Sequence, residues 1–339
     1  MKILVTGGAG FIGSHTVVEL DKAGFEPVIV DNLYNSNLDV LEGIKEITGK
    51  DFPFYQIDCN NAEQIRALFA KEKFDGVIHF AAYKAVGESV EKPLNYYENN
   101  LISLLVLLRA MKEFNVDKFV FSSSCTVYGQ PTELPVTENT PRLPANSPYG
   151  NTKAIAEDII RDHVHSAPGI KAICLRYFNP IGAHETSLIG ELPNGVPSNL
   201  VPFITQTAAG LRKSLTVFGS DYDTPDGTCI RDFIHVVDLA KAHVKALGLL
   251  DEQTDADYYD VFNVGTGEGY TVLELIKTFE EVNGVKLNYT IGPRRAGDVE
   301  KIYAQSDKVN NVMKWHAEKS MADALRDAWN WQLKITPEK

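Results

Sequence analysis

Short apolar runs alternate with longer amphipathic stretches through the first half of the chain. The runs are rich in β-branched residues and typical of buried strands, whereas the stretches between them repeat apolar positions at helical spacing. We predict strands over 2–6, 26–30, 53–57, 76–80, 118–122 and 171–176. We predict helices over about 12–23, 38–48, 62–72, 94–114 and 148–165. This alternation predicts an α/β fold with a doubly wound, Rossmann-type parallel sheet covered by helices on both faces.

The composition and periodicity of the sequence change after Arg176. Residues 179–232 are rich in Pro, Gly and Asn and carry few long periodic runs. Beyond them the pattern predicts helices over about 236–250, 272–282 and 321–332, and a strand over 259–264 that can return to the main sheet. We therefore predict a first domain over 1–178, joined by a return segment over 233–264, and a smaller mixed α/β domain over 179–339 that covers the strand ends.

A glycine-rich turn follows the first predicted strand. Gly8, Gly10 and Gly13 fit the G-x-G-x-x-G spacing, and a predicted helix follows directly. In this strand–turn–helix context, glycines let the backbone approach a pyrophosphate, and free N–H groups at the start of the helix attract the anion. The first domain is therefore predicted to bind a dinucleotide, with the smaller domain holding the substrate.

An acidic residue ends the second predicted strand. Asp31 lies 18 positions after Gly13, close to the roughly 20-residue offset of the carboxylate that binds the ribose hydroxyls of NAD. A carboxylate at this place repels the 2′-phosphate of NADP, so we predict NAD. Ligands of such sheets bind beyond the carboxyl ends of the strands. The loops expected to line the site are 7–13, 31–37, 58–60, 81–90 and 122–130.

Composition excludes several classes of partner. The formal net charge of −12 over 339 residues argues against a nucleic-acid surface, which needs a basic footprint. Apolar runs fall short of the roughly 18 residues that span a bilayer, and the N-terminus has the pattern of a core strand instead of a cleavable signal. The four cysteines are scattered without a C-x-x-C pair, and the eight histidines show no ligand spacing. We expect reduced thiols, a cytoplasmic location and no metal site.

A tyrosine and a lysine stand four residues apart at the start of a predicted helix. Ser147 can cap this helix and Pro148 can occupy its first turn, so Tyr149 and Lys153 share one face. Such a pair is also compatible with an ordinary amphipathic surface. Its position favours a catalytic role, because the helix leads into the sixth strand of the predicted sheet.

Three serines end the strand before that helix. Hydroxyls in series at a strand end often satisfy backbone groups in a turn. Here one of them, by position Ser124, is expected to face the substrate beside Tyr149.

The positive charge of Lys153 is expected to lower the pKa of Tyr149. A free tyrosine has a pKa of about 10, too high for a base at neutral pH. One cation ~5 Å away at an effective dielectric of ~20 favours the phenolate by ~3 kcal/mol, or ~2 pKa units. Lys153 alone therefore falls short, and the positive nicotinamide ring of NAD⁺ closes the gap. The base is then strong only while the cofactor is oxidised, which couples proton removal to hydride departure from a carbinol.

Together, the glycine turn, the strand-end serine and Tyr-x-x-x-Lys resemble the extended short-chain dehydrogenase/reductase family. The likeness runs nearly end to end and narrows to members that act on UDP-hexoses. It is carried further by the stretches His79–Ser89, Leu175–Pro180, Asp226–Val236 and Pro293–Asp298. The resemblance implies an NAD-dependent, redox-neutral and reversible exchange of UDP-glucose and UDP-galactose at the fourth sugar carbon.

The resemblance also implies roles for the catalytic residues. Tyr149 would take the proton of the sugar's 4-hydroxyl while the hydride moves to NAD⁺. The 4-keto sugar would turn over, and the hydride would return to its opposite face. Ser124 would hydrogen-bond the reacting oxygen, and Lys153 would tune Tyr149 and hold the nicotinamide ribose. A ring that must turn requires tight binding at the nucleotide and loose binding at the hexose.

Binding positions carried over from the family form two sets. The cofactor set is Gly7, Gly10, Phe11, Ile12, Gly13, Asp31, Asn32, Asn35, Ser36, Asp58, Cys59, Phe80, Ala81, Lys84, Asn99, Ser122, Tyr149, Lys153, Tyr177 and Phe178. The substrate set is Lys84, Ser124, Tyr149, Asn179, Asn199, Leu200, Phe218, Arg231, Arg295 and Asp298. Alternatives stay open for some of them: Asp58 can cap the helix over 62–72, and each arginine can form an internal salt bridge.

Two other functions compete. A nucleotide-sugar 4,6-dehydratase needs a further acid–base pair beside the strand-end hydroxyl, and Ser124-Cys125-Thr126 offers no carboxylate. A sensor that binds NAD without turnover is disfavoured by the intact Ser124, Tyr149 and Lys153. Acceptance of N-acetylated sugars depends in this family on a residue beside the sugar pocket, placed here at Ile302, whose intermediate bulk leaves the choice open. The resemblance further implies a homodimer through the helices near 94–114 and 148–165.

Overall fold

A computed structural model describes residues 1–166, 169–295 and 298–336. The strands are β1 Lys2–Thr6, β2 Glu26–Asp31, β3 Phe54–Gln56, β4 Gly76–His79, β5 Lys118–Ser124, β6 Lys171–Tyr177, β7 Asn179–Ile181, β8 Leu215–Phe218, β9 Ile230–Arg231, β10 Phe233–His235, β11 Tyr259–Val264, β12 Tyr270–Thr271, β13 Tyr289–Gly292 and β14 Lys301–Ile302. The helices are α1 Phe11–Lys22, α2 Asp39–Thr48, α3 Ala62–Glu72, α4 Val86–Glu91, α5 Pro93–Phe114, α6 Pro148–Ser166, α7 Leu200–Ala208, α8 Val236–Glu252, α9 Val272–Asn283, α10 Asp307–Val312 and α11 Met321–Ile335, with a 3₁₀ turn at Cys125–Tyr128.

The main sheet has the predicted Rossmann-type architecture. Within the described residues it contains seven parallel strands in the order β11-β6-β5-β4-β1-β2-β3. The chain proceeds from β1 to one edge and then returns to place β4 on the other side of β1. Loops that leave β1 and β4 therefore diverge, and this switch point is where such sheets bind ligands.

Both faces of the sheet are buried, as the apolar strands predict. Ile3 and Val5 of β1 join a core with α1, α2 and α8, whereas Leu4 between them joins a second core with α3, α5 and α6. Successive side chains of a strand point to opposite faces. Burial on both sides thus explains why the strands are continuously apolar instead of alternating.

The second half of the chain forms smaller sheets around a third core. β7 pairs with β10, β9 lies between β12 and β14, and β8 pairs with β13. Side chains of α7, α9 and α11 fill the core between these elements. Within the predicted return segment over 233–264, β10 pairs with β7, whereas β11 pairs in parallel with β6 at the edge of the main sheet. The division into domains at 178 and 179 stays a prediction.

Two short elements occupy stretches that the sequence predicts as loops. Helix α4 begins within 81–90, and the 3₁₀ turn lies within 122–130. Strand β5 also continues two residues past its predicted end, because Ser123 and Ser124 pair with Arg176 and Tyr177 of β6. The serines carry no apolar signal, so hydrophobic patterning ends the strand too early.

Candidate active site

The glycine turn after β1 brings backbone into close contact. Gly7 has a φ of +69°, and a Cβ on Gly13 would lie 2.2 Å from the Gly7 carbonyl oxygen. Only glycine at both places allows α1 to start this close to the strand. Within the described structure no side chain caps α1, whose N-cap is Gly10. The free N–H groups of its first turn therefore suit an anion such as a pyrophosphate.

A cavity of about 840 Å³ opens beyond the carboxyl ends of β1, β2 and β4. It is lined by every predicted cofactor residue except Phe178: Gly7, Gly10, Phe11, Ile12, Gly13, Asp31, Asn32, Asn35, Ser36, Asp58, Cys59, Phe80, Ala81, Lys84, Asn99, Ser122, Tyr149, Lys153 and Tyr177. The glycine cradle, the uncapped helix and the acid at the end of β2 fit a dinucleotide in this cavity.

The acid at the end of β2 is held firmly. Asp31 is buried, and its carboxylate accepts hydrogen bonds from the N–H of Ala9 (3.2 Å), the N–H of Leu33 (2.9 Å) and the hydroxyl of Ser36 (2.8 Å). An ionised carboxylate has about four acceptor sites, so Asp31 keeps capacity for a ribose hydroxyl. Its charge disfavours a 2′-phosphate, in keeping with NAD.

The acid after β3 does not cap the next helix. Asn61 caps α3 by accepting from the N–H of Gln64, whereas Asp58 accepts from the side chain of Asn32 (3.3 Å) and the N–H of Asn60 (2.8 Å). The helix-cap alternative for Asp58 is therefore wrong. Asn99 hydrogen-bonds a strand-end loop, accepting from the side chain of Asn60 at 3.0 Å.

Helix α6 delivers the tyrosine and the lysine to the cavity. It begins at Pro148, and the hydroxyl of Ser147 accepts from the N–H of Gly150 at 3.2 Å, which confirms the predicted cap. The ammonium of Lys153 donates to the carbonyl oxygen of Ser122 at 2.7 Å and lies 5.9 Å from the centre of the Tyr149 ring. Both side chains are buried, so they share one face and one low-dielectric environment.

Burial acts on both titrating groups of this pair. It lowers the pKa of Lys153 to about 8. Burial also raises the pKa of Tyr149 well above its ordinary value, and the hydrogen bond with Ser124 opposes this rise. The sequence predicts that Lys153 moves the phenol part of the way toward a base. In the structure, burial acts against that shift of the tyrosine pKa, an effect that the sequence does not predict.

Ser124 lies next to the phenol but outside the lining of the cavity. It is 6% exposed, and its hydroxyl oxygen accepts from the N–H and the hydroxyl of Thr126, at 3.2 and 3.0 Å. This closes the 3₁₀ turn at Cys125–Tyr128. The neighbouring Ser122 shares a hydrogen bond of 2.7 Å with the hydroxyl of Tyr177.

Two predicted substrate residues, Arg231 and Arg295, meet at the carboxylate of a third, Asp298. The guanidinium of Arg295 donates to Asp298 at 2.7 Å, and that of Arg231 lies 3.9 Å from the same carboxylate. Arg295 also lies 5.7 Å from the centre of the Phe218 ring. The internal salt bridge considered for each arginine is thus present. Two cations share one anion here, which leaves net positive charge for a diphosphate in an acidic protein. Ala296 and Gly297 of the Pro293–Asp298 stretch lie outside the described residues.

An acid that the sequence does not single out joins the two sets of residues. Glu191 lines the cavity and accepts from the ammonium of Lys84 at 3.1 Å and the side-chain amide of Asn199 at 2.6 Å. Its backbone carbonyl accepts from the indole of Trp331 at 3.1 Å. Asn199 and Leu200 mark the start of α7, so the cofactor cavity and the second half of the chain meet here. A proline- and glycine-rich loop gives no pattern that reveals such a contact.

A fourth apolar cluster lies behind the strand-end serines. Phe178, Ile302 and Cys125 are buried together there, beside Tyr128 and Val136. Phe178 thus packs outside the cavity, and Ile302 pairs with Arg231 in the small sheet. Burial raises the pKa of the Cys125 thiol to about 12, while the nearby charge of Arg231 acts in the opposite sense. Arg231 is therefore close to the turn that carries Ser124. Asn179 begins β7 directly after this cluster.

Over 1–166, 169–295 and 298–336, no group of three His, Cys, Asp or Glu side chains is arranged to hold a metal ion. None of the helices in the same part of the chain combines the length and apolarity that crossing a membrane requires. All four cysteines are buried free thiols.

Known proteins are similar to this chain in sequence and in structure. The profile of the NAD dependent epimerase/dehydratase family matches residues 3–265. The chain is 50% identical to the UDP-glucose 4-epimerase of Bacillus subtilis over 333 residues, which cover 98% of this chain and 97% of that protein. The crystal structure of UDP-glucose 4-epimerase from Bifidobacterium longum in complex with NAD⁺ and UDP superposes with a TM-score of 0.95 at 48% identity, covering 99% of each chain. The crystal structure of UDP-glucose-4-epimerase from Stenotrophomonas maltophila with bound NAD and formylated UDP-arabinopyranose gives a TM-score of 0.95 at 45% identity. The match covers 99% of this chain and 98% of that chain. The chain therefore belongs to the NAD dependent epimerase/dehydratase family, as the resemblance in its sequence predicts.

Proposed function

We propose that the protein is an NAD-dependent UDP-glucose 4-epimerase that interconverts UDP-glucose and UDP-galactose. The observation that carries this proposal is the buried Tyr149–Lys153 pair, set beside Ser124 at the edge of a dinucleotide-sized cavity. The near full-length similarity to proteins that bear this name supports the same reaction.

The chain's own residues move and hold a proton at the sugar's 4-oxygen. Tyr149 accepts the proton of the 4-hydroxyl, and the hydroxyl of Ser124, beside the phenol, hydrogen-bonds to the same oxygen. The ammonium of Lys153, held on the carbonyl of Ser122, stabilises the phenolate. Bound NAD supplies the hydride acceptor that oxidises the fourth carbon and the donor that restores it. Tyr149 then returns its proton to the 4-keto oxygen once the sugar has turned.

The distribution of cations supports tight binding of the nucleotide and loose binding of the hexose. Arg231 and Arg295 can turn from Asp298 toward a diphosphate, where guanidinium groups form charge-assisted and often bidentate bonds. Phe218 is 40% exposed beside Arg295 and offers a flat apolar surface to the uracil. Asn199, Leu200 and Asn179 complete the proposed substrate site, with Lys84 near the sugar.

A 4,6-dehydratase is the nearest alternative within the family. It requires a carboxylic acid beside the strand-end hydroxyl, and the residues after Ser124 are Cys125 and Thr126. Product analysis separates the two. We expect purified protein given UDP-galactose to form UDP-glucose and reach the same mixture from either side. A 4-keto-6-deoxy sugar would indicate the dehydratase, and NAD binding without any product would indicate a sensor.

We further propose that the protein is a cytoplasmic homodimer. Exposed apolar side chains gather on α4 and α5, including Val90 (61%), Leu94 (78%) and Ile102 (39%). Covering them against a second copy of the chain would remove an apolar surface from water. Light scattering at low protein concentration tests this, and a monomer mass would refute it. Four buried thiols agree with a reducing compartment.

A further inference from the structure

A buried acid on α6 has no part in the chemistry proposed above. Glu157 lies one helical turn beyond Lys153 and two turns beyond Tyr149, on the same face of the helix. Its side chain is 1% exposed. Burying a carboxylate this deeply costs folding free energy unless the carboxylate is paired. The partners of Glu157 therefore show which elements it stabilises.

Glu157 binds two neighbouring strands at once. Its carboxylate accepts two hydrogen bonds from Arg176 of β6, from Nε at 2.9 Å and from Nη2 at 2.7 Å. The hydroxyl of Ser123 of β5 donates to it at 2.6 Å, and Arg142 approaches at 3.4 Å. A two-point guanidinium contact defines orientation as well as distance.

These contacts lie directly behind the reacting groups. Ser123 and Arg176 are opposite each other in the pairing of β5 with β6. Because side chains alternate along a strand, Ser122 and Ser124 point to the other face. Ser122 holds the ammonium of Lys153 with its carbonyl oxygen, and Ser124 lies beside the phenol of Tyr149.

The far side of Arg176 is also anchored. Its Nη1 donates to the hydroxyl of Tyr128 at 3.0 Å, and that hydroxyl donates to the side-chain carbonyl of Asn263 at 2.6 Å. The amide of Asn263 donates to the carbonyl oxygen of Val136 at 2.9 Å. The buried network therefore connects α6 with β6, β11 and the 3₁₀ turn after Ser124.

We propose that Glu157 is a positioning residue for the reaction. Paired with Arg176 and Ser123, it sets the position of α6 along β5 and β6, and so keeps Tyr149 and Lys153 in register with Ser122 and Ser124. The inference rests on the proposed epimerase function for its kinetic readout. A displacement of about 1 Å at a reacting group can lower a rate by about 100-fold.

Glu157→Gln tests this role, since it keeps the shape of the side chain and removes its charge. We expect kcat for UDP-galactose to fall by about 10- to 100-fold. KM and the amount of NAD retained per protomer should stay unchanged, because Glu157 contacts neither ligand site. Glu157→Asp keeps the charge and should recover part of the lost kcat.

Two acids serve as matched controls. Asp158→Asn removes the adjacent carboxylate of α6, which is 40% exposed and pairs with arginines at the surface. Asp238→Asn removes a buried carboxylate of α8 that accepts from the N–H groups of Glu318 and Lys319. We expect the first to leave both stability and kcat unchanged, and the second to lower the melting temperature without lowering kcat.

Ser123→Ala keeps the test decisive if Glu157→Gln unfolds. It leaves the Glu157–Arg176 pair intact and removes only the bond to β5, so kcat should fall by about 2- to 10-fold with KM unchanged. Wild-type kcat in both Ser123→Ala and a folded Glu157→Gln would overturn the proposal. So would a loss in which kcat and KM change together.

A crystal structure of the NAD-loaded Glu157→Gln variant, or of Ser123→Ala if the first unfolds, separates failure of this inference from failure of the proposed function. We expect the 2.7 Å contact between Lys153 and the Ser122 carbonyl to lengthen beyond about 3.5 Å. If wild-type protein does not interconvert the UDP-hexoses, the epimerase proposal fails, but this distance still decides the positioning role. An unchanged distance contradicts it.

Discussion

At the scale of single residues, the proposal depends on the phenol of Tyr149. Burial raises its pKa and the hydrogen bond with Ser124 opposes that rise, while the ammonium of Lys153 lies 5.9 Å from the centre of its ring. The sequence could place these three residues, because spacing along a helix and position at a strand end are local properties. It could not predict the strength of desolvation, since burial depends on how distant segments cover the site.

Tyr149→Phe removes the acid–base group and leaves the apolar ring. We expect kcat to fall by about 10²- to 10⁴-fold, the range for loss of a positioned proton-transfer group, with NAD still retained by the protein. Tyr289→Phe, at a 39% exposed position of β13, is the matched control and should keep full activity. Substantial residual turnover in Tyr149→Phe would assign the base to another group.

Arg295 tests the proposed diphosphate site. Arg295→Gln should raise KM for UDP-galactose by about 10-fold or more and leave kcat nearly unchanged, because a charge-assisted hydrogen bond to a remote group of the substrate is lost. The neighbouring Arg294 pairs with Asp221 and lies over the Tyr222 ring. Arg294→Gln is therefore the control, measured by the same initial-rate kinetics. A KM that changes equally in both variants would argue against a specific role for Arg295.

At the scale of elements, the strand–turn–helix unit over β1 and α1 forms the glycine turn that we propose binds the cofactor. It follows from the sequence alone, because a G-x-G-x-x-G pattern between an apolar run and a helix has one good backbone solution. The short helix α4 and the end of β5 do not follow from it. Their residues are polar or too few to show a period, and long-range pairing decides their structure.

Gly13→Ala should disrupt this cradle. The added Cβ would lie 2.2 Å from the carbonyl oxygen of Gly7, so α1 or the turn must shift, at a cost of about 1–3 kcal/mol in the free energy of unfolding. We expect a large loss of bound NAD, measured by absorbance of the denatured supernatant. Gly248→Ala in α8 meets no described atom within 4 Å and should keep the cofactor while stabilising the helix. Full NAD content in Gly13→Ala would contradict the proposal that the glycine turn binds the cofactor.

At the scale of the whole molecule, the two halves of the chain meet at the cavity where we propose that the reaction takes place. Glu191 joins Lys84 to Asn199 across more than a hundred positions of sequence. The return of β11 to the main sheet could be predicted from its apolar pattern. The contacts of Glu191, Trp331 and Arg176 could not, because one sequence carries no signal for which distant side chains meet.

Buried histidines should make the fold sensitive to acid. Burial lowers the pKa of His15 and His79 to about 3 and that of His243 to about 4. The unfolded chain binds these protons below about pH 6.5, whereas the folded protein does not until about pH 4. The contribution of these histidines to the free energy of unfolding is thus fully present above about pH 6.5. It is lost as the pH falls, by up to about 1.4 kcal/mol per pH unit for each histidine.

Urea unfolding between pH 7 and pH 4.5 measures this dependence. His243→Gln should reduce the slope of unfolding free energy against pH, and His316→Gln, at an exposed position, should leave it unchanged. Equal slopes in wild type and His243→Gln would show that the buried imidazole does not govern acid stability.

Isotope transfer tests the central claim most directly, that the protein oxidises and restores the fourth carbon of a UDP-hexose with its own bound NAD. Purified protein is incubated with UDP-galactose deuterated at the fourth carbon, without added NAD, and the products are separated and analysed by mass spectrometry and NMR. We predict UDP-glucose that keeps the deuterium at the fourth carbon. Loss of the deuterium to solvent, a 4-keto-6-deoxy product, or no UDP-glucose from protein that contains NAD would contradict it.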